Sequence, residues 1–514
     1  MLAKVYSAAV QGIDACPIEI EVNAGEHAWG DPITVVVGLP DMAVKESRDR
    51  VKTALENSGF RYPIGRTTVN LAPADIKKEG PSFDLPIALG IVAAINELKP
   101  EQLSNSIAIG ELALAGTVRP VRGVLPIALC AKQQGKRGLI VPAENAAEAA
   151  IVQGIDVYPV QNLRQTVEFL AGRASIAPVR EDPEKFFLSH HVYDVDFSEV
   201  KGQESVKRAL EVAAAGGHNI LMIGPPGTGK SMLAKRIPTI LPMMSLDEAL
   251  ETTKVHSITG LLQRNQALVA TRPFRSPHHT ISDAGLLGGT SNPSPGEVSV
   301  ANHGVLFLDE LPEFKRSALE VMRQPLEDGH VTISRASGTM TFPADFMLVA
   351  AMNPCQCGFY GDPKRECRCS PGQVQRYRTR VSGPLLDRID IHVEVPAIAY
   401  KEMRGEATGE PSEKIRARVE TARAIQRKRF ADRPKVHSNA RMGPKEIREF
   451  CKLDETCHEL LKMAMNELNL SARAYDRILK VARTIADLDR SEQIQPNHVS
   501  EGIQYRSFDR QFWV

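Results

Sequence analysis

Two kinds of apolar spacing alternate along the first third of the chain. Short β-branched runs, Ile33–Val37, Thr67–Leu71 and Leu139–Val141, read as strands. Between them, Met42–Ser58, Leu85–Leu98 and Ala143–Gln153 carry apolar residues at helical spacing. This alternation predicts an α/β domain over residues 1–173. A polar, proline-bearing stretch then predicts a linker over residues 174–194. A second α/β block, residues 195–398, opens with a helix (Gly202–Ala215), a strand (Asn219–Ile223) and a glycine-rich turn. Two continuous apolar runs within it, Val305–Leu308 and Phe346–Ala351, have the pattern of strands buried on both faces of a parallel sheet. Beyond the Gly- and Glu-rich loop Glu402–Ser412 the spacing is helical to the end. Glu413–Arg429, Pro444–Lys452, Glu455–Leu468, Ala472–Asp489 and Pro496–Tyr505 predict a helical domain over residues 399–514.

Composition narrows the class. The chain has 514 residues, too many for one core. Its 43% hydrophobic and 24% charged residues are those of a folded globular protein. Aromatics at 5% leave few stacking platforms for single-stranded nucleic acid, and a net charge of +1 means that DNA binding needs a local basic patch. The first residues lack the charged start and apolar run of a secretory signal. The most apolar stretch, Ile87–Ile95, is too short to span a bilayer. A cytoplasmic chain with no membrane partner is expected, its eight cysteines reduced or ligating metal.

The chemistry begins at Gly224-Pro225-Pro226-Gly227-Thr228-Gly229-Lys230-Ser231, which fits G-x-x-x-x-G-K-[ST] between an apolar strand and a helical run. Such a loop turns its backbone N–H groups inward on phosphates. Lys230 is expected to contact the β- and γ-phosphates of ATP, and Ser231 to ligate Mg²⁺. Val305–Leu308 ends in Asp309-Glu310, and two carboxylates at the end of a core strand are costly unless they face a cation or polar site. Asp309 is expected to hold the metal and Glu310 to polarise the attacking water; the plainer alternative is a helix N-cap pair. Asn353, after the next apolar strand, either positions that water or serves as a turn residue. Arg388, in Leu385–Asp390, is a candidate arginine finger for a neighbouring subunit or a local ion pair of Asp387 or Asp390. Arg473, after the candidate N-cap Ser471, either reports nucleotide state or is a solvated helix arginine.

Cys355-x-Cys357 and Cys367-x-Cys369 lie on one loop, residues 354–370, with glycines that allow tight turning. Four thiolates there suit a closed tetrahedral Zn²⁺ site; the alternative is four ordinary reduced cysteines. The same segment is basic, with Lys364, Arg365, Arg368, Arg376, Arg378 and Arg380, and is a candidate for contact with a phosphate backbone. Arg272, Arg275, His278, His279 and Arg335 are further candidates, whereas Arg423, Arg427, Lys428 and Arg429 read as a solvated helix face.

Taken together, GPPGTGKS, LFLDEL, AAMNPC, LLDRID and SARAYDRILKVAR stand in AAA+ order. The wording SITGLL, RPFRSPHHTIS, GEVSVANHGVLFLDELPEF and NPCQCG resembles the magnesium-chelatase-related proteins of the ComM/YifB type, across essentially the whole chain. The resemblance implies a P-loop AAA+ core with an insertion in its second helix, matched by Ser282–Glu297, and a hairpin before the Asn353 strand, matched by Val331–Phe342. It implies a C-terminal helical lid. It assigns Lys230, Asp309, Glu310, Asn353, Arg388 and Arg473 to the Walker A, Walker B, sensor 1, finger and sensor 2 positions. It also implies a homo-hexameric ring motor that drives branch migration of DNA in natural transformation, with recombination proteins as further partners. The N-terminal block resembles the proteolytic domain of Lon proteases, a ribosomal-protein-S5-like fold. Glu79–Ser82 matches the nucleophile segment, but the lysine position falls at Leu125, so Ser82 has no base and is expected to be inert. A metal-chelatase-like or protein-remodelling motor, not directed at DNA, is the rival reading.

Overall fold

The computed structural model describes residues 2–25, 33–190, 192–263, 266–289, 293–335, 338–362, 365–397, 409–433, 435–468 and 470–507. Ala336 and Ser337 of the expected hairpin turn, residues 290–292 of the expected insertion, Lys364 and residues 402–408 lie outside them. The chain divides into two compact units, residues 1–191 with 245–270, and residues 192–244 with 271–514.

The first unit is built on a mixed seven-stranded sheet. Strands β1 (Leu2–Gln11) and β2 (Asp14–Ala24) pair antiparallel along their whole length, Leu2 opposite Asn23 and Gln11 opposite Asp14. Gly12 turns the chain between them at φ 64°, where a side chain would be strained. With β3 (Ile33–Val37), β4 (Arg66–Ala72), β5 (Ser106–Ala108), β6 (Gly138–Pro142) and β7 (Asp156–Val160), the order is β3-β4-β2-β1-β5-β6-β7. Helix Asp84–Ala94 is buried at every position and lies on β1 and β2. Gly90 allows that approach, since a Cβ there would fall 2.5 Å from Val22.

Segment Ser245–Ala270, expected inside the second α/β block, belongs to this unit. Its helix Leu246–Thr259 starts with a capping box between Ser245 and Glu248 and packs on helix Val124–Gln133. Buried Glu148 holds it, accepting hydrogen bonds from the Ser257 hydroxyl and the Leu125 amide. Helix Pro183–Ser189, capped by Asp182, falls within the stretch expected as linker.

The second unit carries a parallel sheet with order β9-β10-β13-β8-β14, where β8 is Ile220–Ile223, β9 Phe274–Arg275, β10 Val305–Leu308, β13 Met347–Met352 and β14 Ile391–Glu394. Strands β8, β10 and β13 are buried throughout, as their unbroken apolar runs require. Between β10 and β13 runs an antiparallel hairpin, β11 (His330–Arg335) and β12 (Gly338–Pro343), with Arg335 opposite Gly338. Among the described residues five α-helices lie beyond β14: Ser412–Arg429, Pro444–Phe450, Glu455–Glu467, Ala472–Leu488 and Pro496–Gln504. A buried polar seam fixes helix Ala472–Leu488 to the sheet. Asp390 takes hydrogen bonds from His218 and Arg477, and His218 Nε2 meets the Thr484 hydroxyl at 2.8 Å.

Candidate active site

Parallel strands bring their C-terminal ends to one edge, and in an open α/β sheet that edge is where ligands bind. Ile223 pairs with Met352, so Gly224 and Asn353 leave adjacent strands side by side, and β10 delivers Asp309 next to them. Gly224 passes against the Val395 carbonyl, where a Cβ would sit 2.3 Å from the oxygen. Gly227 and Gly229 take φ values of 79° and 87°, closing the loop before helix Lys230–Ile240 begins.

Lys230 is buried, and its ammonium donates to the Gly224 and Pro225 carbonyls at 2.7 and 2.9 Å and to Asn353 Oδ1 at 3.2 Å. Burial pushes its pKa down to about 8, opposed by Asp309. The Ser231 hydroxyl donates to Asp309 Oδ2 at 2.6 Å. A hydroxyl and a carboxylate converging beside a phosphate loop are the hard oxygen donors that Mg²⁺ takes. Asp309 Oδ1 accepts from the Glu310 amide at 2.9 Å. Glu310 stands at φ 54° and caps the turn Leu311–Glu313. Its carboxylate meets His279 Nδ1 at 3.3 Å.

The two arginines lie elsewhere. Arg388 is 8% exposed, donates to the Pro384 carbonyl at 2.6 Å and pairs with Glu327, a partner other than the two neighbouring aspartates. Arg473 is exposed and lies 3.5 Å from Asp387. Among the described residues neither is hydrogen-bonded to the phosphate loop.

The four thiols do come together. Every Sγ of Cys355, Cys357, Cys367 and Cys369 lies within 4.8 Å of the others. Three of the separations are 3.3, 3.7 and 3.6 Å. They exceed the ~2.05 Å of a disulfide and approach the ~3.8 Å edge of a tetrahedron with ~2.3 Å metal–sulfur bonds. The Phe359 amide leads the groups that pull the Cys357 thiol down, whereas Cys367, against the Cys369 amide, is pushed up by burial and by the neighbouring thiols. Four sulfurs this close ionise together only around a cation, so the set fits zinc.

Three models of the magnesium chelatase family cover the chain. "Magnesium chelatase, subunit ChlI" matches residues 196–403, "Subunit ChlI of Mg-chelatase" residues 18–145, and "Magnesium chelatase, subunit ChlI C-terminal" residues 409–506. Competence protein ComM of Haemophilus influenzae is 46% identical over 99% of this chain and 98% of its own. Uncharacterized protein YifB of Escherichia coli is 43% identical over the same shares. The chain belongs to the ComM/YifB family of magnesium-chelatase-related AAA+ ATPases. It is thus an ATP-hydrolysing enzyme with a mixed α/β, AAA+-type architecture. Lon protease 2 of Bacillus subtilis is 32% identical over 29% of each chain. No helix among the described residues is long and apolar enough to cross a membrane.

For this ComM/YifB-family ATPase, several neighbours of the site carry no motif. Gln203, left-handed at φ 56°, donates its amide to the Thr228 and Pro396 carbonyls, both at 2.9 Å, and so braces the phosphate loop. Tyr377 is buried with its hydroxyl in reach of the Asn353 amide. His279 touches Glu310. Gln203 left a local signal in the glycine ahead of a helix start, and His279 was legible as a candidate phosphate contact rather than as a partner of Glu310.

Candidate phosphate contacts sort into two groups. Arg272 donates to the Pro242 and His303 carbonyls, and Arg275 forms a forked pair with Glu297 at 2.7 and 2.8 Å. Arg335 donates to the Gly289 carbonyl, and Arg429 pairs with Asp487 rather than standing in solvent. By contrast Arg376 and Arg380 are exposed around one cleft of about 380 Å³, to which the structure adds Arg316 and where Glu313 pairs with Arg380 at 2.7 Å. In the first unit Ser82 lies in the turn Pro81–Phe83, and Leu125 is fully buried among apolar neighbours. Lys78 is buried with its ammonium on the Pro73 carbonyl.

Proposed function

We propose that this ATPase is a ring-forming motor on DNA, a branch-migration helicase in recombination. What supports the DNA direction is the three-arginine cleft, whose wall begins two residues after Glu310, at Pro312. A phosphodiester there competes with Glu313 for Arg380 and acts on the turn that Glu310 caps. DNA contact and hydrolysis are thereby joined through one short backbone segment.

In this reading ATP phosphates draw the Lys230 ammonium from the loop carbonyls, and Ser231 and Asp309 hold Mg²⁺, which supplies charge neutralisation at the phosphates. Glu310 orients the attacking water and takes its proton, and Asn353 holds that water from the other side. Arg388 leaves Glu327 on ring assembly and reaches the neighbouring subunit's phosphate, while Arg473 follows nucleotide state from the helical lid. The hairpin β11–β12 and the 282–297 insertion move against DNA in the ring. The first unit, a Lon-like module whose Ser82 has no base at Leu125, serves assembly, and zinc fills the cysteine cluster.

The chelatase family models favour one rival, a motor of a metal-chelatase-like system. Steady-state ATPase with single-stranded, duplex and four-way-junction DNA, at low and moderate salt, separates them. The proposal expects stimulation that weakens as salt rises. Indifference to every DNA, with a response to a porphyrin-bearing partner, favours the chelatase reading.

A further inference from the structure

The cysteine cluster is part of the nucleotide pocket's frame. Cys355 follows Asn353 by two residues, so the loop leaves the same strand end that carries the candidate water-positioning amide. From there it passes over the phosphate loop. Gly358 is left-handed at φ 88°, and a Cβ on it would fall 2.6 Å from Pro226 Cδ and 3.1 Å from Cγ. Beyond Cys369, helix Pro371–Arg378 returns to the pocket. Its Tyr377 hydroxyl lies in reach of the Asn353 backbone N–H, and Arg378 Nε donates to the Pro354 carbonyl at 3.1 Å, its guanidinium over the Tyr360 ring. The loop thus touches Walker A at one point, and the helix that follows it meets the Asn353 strand end at two.

Among the described residues, the segment between Cys355 and Cys369 contains no helix or strand. Cys355 is its buried apolar residue, and Gln356, Tyr360 and Arg365 face solvent. A chain stretch of this kind has little else to order it than a crosslink between its ends. The thiols are placed to make one through a metal.

We propose that a zinc ion on Cys355, Cys357, Cys367 and Cys369 braces the nucleotide site, clamping Gly358 onto Pro226 and Tyr377 onto Asn353, so that metal occupancy sets the affinity for ATP. The cluster is then a control point. Chelation of the metal releases the loop, and the phosphate loop loses the wall that holds it in shape. This rests on the assignment of Gly224–Ser231 as the phosphate loop.

The test uses the full-length chain, purified reduced. Elemental analysis gives its metal content, and fluorescent mant-ATP gives its affinity before stripping with a mercurial and chelator, after stripping, and after zinc and thiol are restored. The expected results are about one zinc per chain, a loss of affinity of roughly tenfold or more on stripping, and recovery with zinc. Gly358→Ala is the second probe, because it strikes the contact and leaves the thiolates alone. It should retain zinc and lose affinity by a similar factor. Parent-like affinity in the stripped protein, or in zinc-replete Gly358→Ala, overturns the proposal, as does a reduced protein that holds no metal. Lys230→Ala separates the two layers of the argument. If it binds mant-ATP like the parent, the phosphate-loop assignment fails. If it abolishes binding while stripping and Gly358→Ala do not, only the brace fails.

Discussion

Glu310 is held where few residues rest. A non-glycine in the left-handed region costs about 1–3 kcal/mol, and such costs persist where surrounding structure imposes them. Here the Asp309 carboxylate holds the Glu310 amide and His279 meets its side chain. If Glu310 orients the attacking water, Glu310→Gln keeps nucleotide affinity and loses about 10²–10⁴ in turnover; parent-like hydrolysis contradicts that role. If His279 aims the carboxylate, His279→Ala lowers kcat by roughly tenfold with KM for ATP unchanged. A rise in KM alone would mean that His279 shapes binding instead. At this scale the sequence was legible wherever spacing is itself the mechanism. Glycine and lysine positions in Gly224–Ser231 follow from phosphate geometry, and the cysteine pairs follow from ligand number. His279, Gln203 and Tyr377 reach the site from distant positions, and neither a histidine pair nor a Gly-Gln step has a spacing that ties it to Glu310 or to the phosphate loop.

At the scale of elements, helix Ala472–Leu488 shows how the seam works. Burial opposes ionisation of Asp390, yet Arg477 and the His218 hydrogen bond outweigh it and hold its pKa below the ordinary carboxylate range. His218 itself is lowered by burial. Lys480, on the same helix, is pushed down to about 8 by burial and then by Arg477, against the pull of Asp390 and Asp476, with Cys451 also nearby. Its ammonium donates to the Ala440 carbonyl. Because its folded pKa lies below the unfolded value of 10.5, the folded state carries a charging cost at neutral pH. That cost disappears as pH rises from about 8 to 10.5, where the unfolded state alone still binds the proton. Lys480→Met should therefore stabilise the fold at pH 7 by of order 1–3 kcal/mol, and chemical denaturation at pH 7 and 10.5 should show that gain shrinking. A gain independent of pH would assign it to packing instead.

The elements were legible in uneven measure. Strands β8, β10 and β13 and the five C-terminal helices announce themselves by unbroken apolar runs or helical spacing. Strand β2 alternates Ile18, Ile20 and Val22 with Glu19 and Glu21, but its partner β1 carries Ser7, Ala8 and Ala9, small residues with weak strand preference. Helix Leu246–Thr259 has an ordinary helical pattern, and nothing local says that it packs with the first unit. That placement comes from Glu148, more than ninety residues earlier in the chain.

For the whole molecule, a net charge of +1 makes any affinity for DNA a matter of where the arginines stand. Arg272, Arg275 and Arg429 are engaged inside the fold, while Arg316 and Arg376 line the cleft exposed. Replacing Arg316 and Arg376 together with alanine should weaken DNA binding and reduce the slope of log affinity against log salt by about 2. An unchanged slope would place the DNA contacts elsewhere. The proposed ring and its proposed arginine finger belong to this scale as well. In the single chain Arg388 is paired with Glu327, so its proposed role depends on a neighbour that draws it away.

The most direct test of the central claim follows a labelled four-way junction with the parent protein and with Glu310→Gln, in the presence of ATP and Mg²⁺. The parent is expected to move the junction and release duplex products, whereas Glu310→Gln binds the junction and leaves it in place. A parent that hydrolyses ATP yet never moves the junction, or a Glu310→Gln variant that moves it equally well, would contradict an ATP-driven DNA motor.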